Sequence, residues 1–186
     1  MSRRLLPILL AALAALGLAA CGDKEQRVTH GESEAFYVTL GEMQYQVQIS
    51  RQLNPQDLGD RQTLVGIPPA ERGLTADQVW FGVWVRIFNE TDGAQRGADE
   101  FRIVDTRGVA YQPIQLQPVN SFAYRSVRVP GKSQYPELGS VPAQSPSTGA
   151  LVLFKLPRQA LDFRPLELVF GSSKVPGAES SVQLDV

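Results

Sequence analysis

The chain has 186 residues, 43% of them hydrophobic, with 18 basic and 19 acidic side chains, one cysteine and one histidine. So even a charge balance is no footprint for nucleic acid, which favours a strongly basic patch. A single cysteine excludes a disulfide within one copy, so stability rests on packing; as one domain, a chain of this length buries roughly 70% of its unfolded surface.

Residues 1–20 open with Arg3 and Arg4, continue through an apolar run from Leu5 to Leu18 and end in small residues, the three regions of a secretory signal peptide. A spanning helix needs about 20 apolar residues, so the run is short for a membrane span and cleavage is expected. Leu18-Ala19-Ala20-Cys21 resembles the bacterial lipobox. The resemblance implies that the Cys21 sulfur carries a diacylglyceryl group, that the signal is cut just before it, and that acyl chains such as palmitate hold the mature protein on a membrane outside the cytoplasm. Gly22, where aspartate would direct retention, implies the outer membrane in a host that has one. An ordinary secretory signal that leaves Cys21 a free thiol is the competing reading. A catalytic cysteine is disfavoured, since no second cysteine or suitably placed histidine would activate it. Loss of residues 1–20 removes only Arg3 and Arg4, leaving 16 basic against 19 acidic side chains and a net charge of −3.

Residues 21–35 are polar and without periodicity, and they hold His30; they read as a lipidated flexible tether. His30 has no partner ligands beside it in sequence, so an exposed spacer residue is expected rather than a metal ligand.

From Phe36 onward, alternation with period two replaces helical periodicity. The clearest strands are Tyr45–Ser50, Val79–Asn89, Phe101–Asp105, Ala150–Leu156 and Leu166–Phe170. Weaker ones are Phe36–Leu40, Val109–Ile114, Phe122–Val129 and Ser181–Val186. Asn, Asp and Gly mark reversals at Asn89–Gly93, Asp105–Gly108, Pro130–Lys132 and Gly171–Ser173. Pro157–Asp162 reads as one helical turn with proline at its start. Asn54–Gln78 and Gly131–Gly149 are long irregular stretches, which in a compact domain are usually functional or mobile. The expected fold is all-β: an immunoglobulin-like antiparallel β-sandwich of seven to nine strands over residues 36–186.

Tyr45, Val47 and Ile49 lead one strand, Asn89 ends another, and Phe101, Asp105, Gly108 and Tyr111 share a strand and turn. Pro130, Gly131, Phe154 and Pro157 follow in order. This order resembles the immunoglobulin-like domains of bacterial lipoproteins, the DUF4352-like and antigen-63-like group. The likeness implies a fold; its motifs are strand and turn chemistry, which names no ligand.

No G-x-S-x-G elbow or S-x-x-K motif occurs, and a copper carrier would have only Met43 and His30 to offer after the signal. No catalytic residue, metal ligand or cofactor is therefore assigned. Carboxylates brought together by the fold would be the one route to an enzyme, but Glu90-Asp92 and Asp99-Glu100 sit at turns where solvated acids are ordinary.

One strand stands out. Its odd positions Val79, Phe81, Val83, Val85 and Ile87 form a core row, while Trp80, Gly82, Trp84, Arg86 and Phe88, successive positions about 6–7 Å apart, put two tryptophans and a phenylalanine on the opposite face. A face that greasy needs a cover. Either a long loop lies over it or it is an aromatic platform for a partner, and Gly82 between the tryptophans leaves room for a close approach by either. The function expected from anchor, tether and sandwich is a non-catalytic binding or assembly module for an envelope protein or glycan. A carboxylate enzyme acting on an envelope polysaccharide and a purely structural lipoprotein are the alternatives.

Overall fold

The structure, a computed structural model, describes residues 27–174 and 177–186. The leader and Cys21 lie outside the described residues. Among the described residues no helix is long and apolar enough to cross a membrane.

Two sheets face each other. In the first, β2 (Tyr37–Leu40), β3 (Met43–Leu53), β4 (Gln78–Asn89), β11 (Ala150–Pro157) and β8 (Pro113–Ile114) are neighbours in that order. Where β11 ends against Val85, β10 (Ser133–Tyr135) takes over the same edge of β4, opposite Ile87 to Asn89. The second sheet runs β1 (His30–Gly31), β13 (Glu179–Leu184), β12 (Leu166–Gly171), β6 (Glu100–Val104) and β7 (Ala110–Tyr111). A small ladder joins β5 (Gln95–Arg96) to β9 (Arg128–Val129). The architecture is the expected β-sandwich. Thirteen strands are formed among the described residues, and seven of them have four residues or more; the surplus over the expected count is two- and three-residue pairings too short to show alternation.

The core lies between the sheets. Val79, Phe81, Val83, Val85 and Ile87 of β4 are buried, with Tyr45, Val47 and Phe154 beside them on the same sheet. Opposite stand Phe101, Ile103, Leu168, Phe170 and Val182. Tyr45 and Phe170 meet across the gap with ring centroids 4.8 Å apart, and Phe101 packs edge-on to Tyr124 at 4.8 Å. Spacing two residues apart on facing strands puts these rings in one layer.

Four expectations change. Residues 28–31, expected within the tether, belong to the folded domain: Val28 O accepts from Thr39 N, Thr29 O accepts from Ser181 N, and His30–Gly31 pairs in parallel with Ser181–Val182. His30 therefore belongs to the sheet edge, its Nδ1 2.9 Å from Ser181 Oγ and 3.1 Å from Glu167 Oε1. Phe122–Val129 is no continuous strand, because Asn120 Oδ1 takes the N–H groups of Phe122 and Ala123, and the Tyr135 hydroxyl takes that of Arg125. Val109–Ile114 is split at Gln112, with one half in each sheet. Both long irregular stretches are partly folded, the first through α1 (Leu58–Thr63) and a 3₁₀ turn at Pro69–Glu71, the second through β10 and α2 (Val141–Gln144). The helical turn expected after Pro157 forms as 3₁₀ over Arg158–Asp162.

Candidate functional site

The outward side of β4 divides into a covered half and an open half. A β-bulge in β3 marks the division. Val47 pairs with Val85 and Ile49 pairs with Trp84, so Gln48 is the extra residue. A bulge shifts the alternation by one, and beyond it Ile49, Arg51 and Leu53 stand on the outward face beside Trp84, Gly82 and Trp80. A second, smaller core forms there from Leu53, Ile67, Trp80, Trp84, Leu116, Leu151 and Leu153. Trp80 is 3% exposed and Trp84 1%.

This overturns two of the three expected platform residues: Trp80 and Trp84 offer no surface to a partner, and only Phe88, half-buried, reaches solvent. The close approach foreseen at Gly82 is made by the chain itself. A β-carbon there would stand 2.8 Å from Trp84 Cη2 and 2.9 Å from Leu151 Cδ1, so the indole occupies the space a side chain would fill.

The cover is a built cap. Asp57 caps α1 by accepting from Asp60 N at 3.0 Å. Asp60 is buried, accepts a two-pronged bond from Arg51 at 2.6 and 3.1 Å, and accepts from Asn54 N at 2.7 Å. The Arg51 guanidinium beside it, helped by Asn54 N, holds the Asp60 carboxyl below its ordinary range against the opposing effect of burial. Arg51 also lies 5.2 Å from the Trp84 ring, which ties cap, strand and tryptophan together. A second covering segment, residues 116–123, brings Leu116, Phe122 and Ala123 against the tryptophans, and a buried asparagine joins it to the first: Asn120 Nδ2 donates to Thr63 O and Val65 O, both at 2.7 Å, while its Oδ1 accepts from Phe122 N and Ala123 N. The cap shows apolar side chains on its outside, with Leu58 70% and Val119 69% exposed and Val65 beside Asn120.

The open half begins where the bulge ends. Thr39, Gln44, Phe88 and Gln134 form one row across four strands, and Tyr37, Gln46 and Arg86 form the next. Tyr37 meets Phe88 edge-on at 5.5 Å, the Arg86 guanidinium lies 4.9 Å from the Phe88 ring, and Arg86 donates to Gln134 Oε1. Leu138, 81% exposed, shares a hollow with Phe88, Glu90 and Lys132. Val28 shares the adjoining hollow with Tyr37, Gln44 and Glu90. Among the described residues no segment caps this half.

Two turn residues singled out in the sequence, Asn89 and Asp105, are locks. Asn89, buried, donates to Gly93 O, Val129 O and Pro130 O and accepts from Thr91 N. Asp105 is buried, and burial pushes its carboxyl up. Bonds from Arg107, the Tyr111 hydroxyl and the N–H groups of Val109 and Arg107 outweigh that and leave it at about 2. Of the acids noted at turns, Asp99 accepts from Ser173 N and Oγ, and Glu90 accepts from Gln44. Among the described residues no group of three or more His, Cys, Asp or Glu side chains is arranged to hold a metal.

The fold has a solved counterpart of low sequence identity. The yjhA protein from Bacillus subtilis superposes with a TM-score of 0.51 at 12% identity, covering 83% of this chain and 99% of that one. An uncharacterized β-sandwich protein from Clostridium difficile 630 gives a TM-score of 0.44 at 10% identity, covering 88% of this chain and 99% of that one. No family model matches the chain. A search of curated proteins finds no match either. What the likeness to the first conveys is the fold.

Proposed function

We propose that the chain is a lipid-anchored, extracytoplasmic binding module whose cap meets an envelope partner, with Cys21 as the lipid attachment point. The anchor rests on Arg3, Arg4, the Leu5–Leu18 run and the lipobox-like Leu18-Ala19-Ala20-Cys21. The strand and turn order from Tyr45 to Pro157 adds the likeness to lipoprotein immunoglobulin-like domains.

The observation that carries the binding role is the cap. A connection that only had to join β3 to β4 needs a few residues, yet the chain spends residues 54–77 on one. It ties that stretch down with Asp60 and Asn120 and leaves Leu58, Val65 and Val119 exposed on its outside. Apolar side chains on a rigid support lose little freedom when a partner covers them. The cap also lies over the Trp80 end of β4, while the chain enters at the other end, beside Gly41 and Thr91. It therefore lies at the end of the sheet remote from the chain's entry.

Mass spectrometry of the mature N-terminus tests the anchor: acyl groups on Cys21 are expected, and an unmodified thiol there contradicts it. Photo-crosslinking amino acids at Val119 and at Val109 in native membranes test the cap. One defined adduct from position 119 and none from 109 is the expected result. Equal adducts from both, or none from either, would remove the cap as the partner surface.

A further inference from the structure

We propose that the end of the sandwich where the chain enters rests on the lipid surface, with Val28, Tyr37, Phe88 and Leu138 as the side chains that touch it. The inference depends on the lipid-anchored reading above and adds an orientation to it.

Length is the first argument. Arg27 lies six residues beyond Cys21, and at about 3.3–3.6 Å per residue that stretch reaches about 20–22 Å at full extension. The chain yields no slack after that, because Val28 O is bonded to Thr39 N and Thr29 O to Ser181 N. A free tether running to residue 35 would have reached about 50 Å. A domain of this size has a radius of gyration of about 15 Å, hence a breadth of about 40 Å. The reach is shorter than the domain is broad, so the entry end stays at the membrane.

Direction is the second. Register places the turn at Gly41–Glu42 beside Asn89 and the start of β10, since Met43 and Ser133 both pair with Asn89. Arg27 and Val28 line a hollow at that same end with Tyr37, Gln44, Glu90 and Thr91. The opposite end holds the turn between β6 and β7 that carries Val109.

Surface chemistry is the third. Val28 and Tyr37 share the first hollow, Phe88 and Leu138 share the second, and the Tyr37–Phe88 ring contact joins the two. The result is a strip in which exposed Val28, Tyr37 and Leu138 surround half-buried Phe88 on the side where the chain enters. Tyrosine suits such a boundary, with an apolar ring and a hydroxyl for the headgroup layer. Arg27, Arg86 and Lys132 flank the strip, but so do Glu42, Glu90 and Asp92. Charges of both signs leave apolar contact as the attraction, so a zwitterionic surface suffices and salt has little effect.

The test uses the mature lipidated protein in phosphatidylcholine vesicles that contain spin-labelled lipid. A fluorophore is placed on L138C, or on V109C as the far-end control; with Cys21 acylated, the introduced cysteine is the sole thiol. Quenching several-fold stronger at position 138 than at 109, unchanged by 0.5 M salt (about the ionic strength that screens surface charge within 5 Å), is expected. Adding Y37S and F88S should bring the 138 signal down to the 109 level while the protein stays with the vesicles. Equal quenching at both positions in the parent protein overturns the orientation, as does protection of the 138 label by soluble envelope glycan fragments instead of by lipid. Protein left in the supernatant with a free Cys21 thiol overturns the anchor itself, which separates that failure from failure of the orientation.

Discussion

The two halves of β4 share one strand, one sheet and one outward face, yet the half around Trp80 and Trp84 is dry while the half around Arg86 and Phe88 is wet. Each carries aromatic side chains on that face, Trp80 and Trp84 in one and Phe88 in the other. The difference comes from the neighbouring strand: the bulge at Gln48 turns Ile49 and Leu53 outward, and that extra apolar area makes a cap worth folding. On the other side of the bulge the outward residues of β3 are Gln44 and Gln46, which water already satisfies. An aromatic pair on a strand therefore says less about a binding site than the register of the strand beside it.

Breaking the covered half should cost most. Trp84→Ala leaves a cavity beneath the cap and removes the ring that Arg51 overlies, so a loss of about 3–5 kcal/mol in urea unfolding is expected. Asn120→Ala strands two carbonyls of the first covering segment and two N–H groups of the second, with an expected loss of about 2–3 kcal/mol. Hydrogen exchange should then rise over residues 57–67 while β6 and β12 keep their protection.

A control outside both halves is Asp105. Its folded value, about 2, lies below its ordinary one, so its contribution is complete above about pH 4 and is lost as pH falls towards 2. Asp105→Asn should be less stable at neutral pH, and its urea midpoint should fall less between pH 4 and pH 2 than that of the parent; equal falls would deny the depressed value. The smallest effect belongs to the open half. Phe88→Ser should change stability by under about 1 kcal/mol, because the ring gives up only half-buried area.

Much of the fold was legible. Val79 to Ile87 alternate in the sequence and line the core in the structure, and Gly82 did mark a close approach. The cap was not, since Leu58–Thr63 is under two helical turns and carries too few residues to display a period. The bulge was hidden because Tyr45, Val47 and Ile49 alternate without a break in sequence, although Ile49 sits on the opposite face. His30–Gly31 was read as spacer because two residues hold no alternation at all. Of the candidate site, the need for a cover over Trp80 and Trp84 was readable, whereas the strip of Tyr37, Phe88 and Leu138 depends on β2, β4 and the loop after β10 meeting in space.

The chain has two tryptophans, Trp80 and Trp84, so tryptophan fluorescence, excited at the red edge where tyrosine does not absorb, reports on the covered half alone. If the tryptophans are core beneath a cap, emission is blue-shifted in the folded protein and iodide quenches it several-fold less than in urea. Folded-state emission at the wavelength of water-exposed indole, quenched as readily as in urea, would contradict the account.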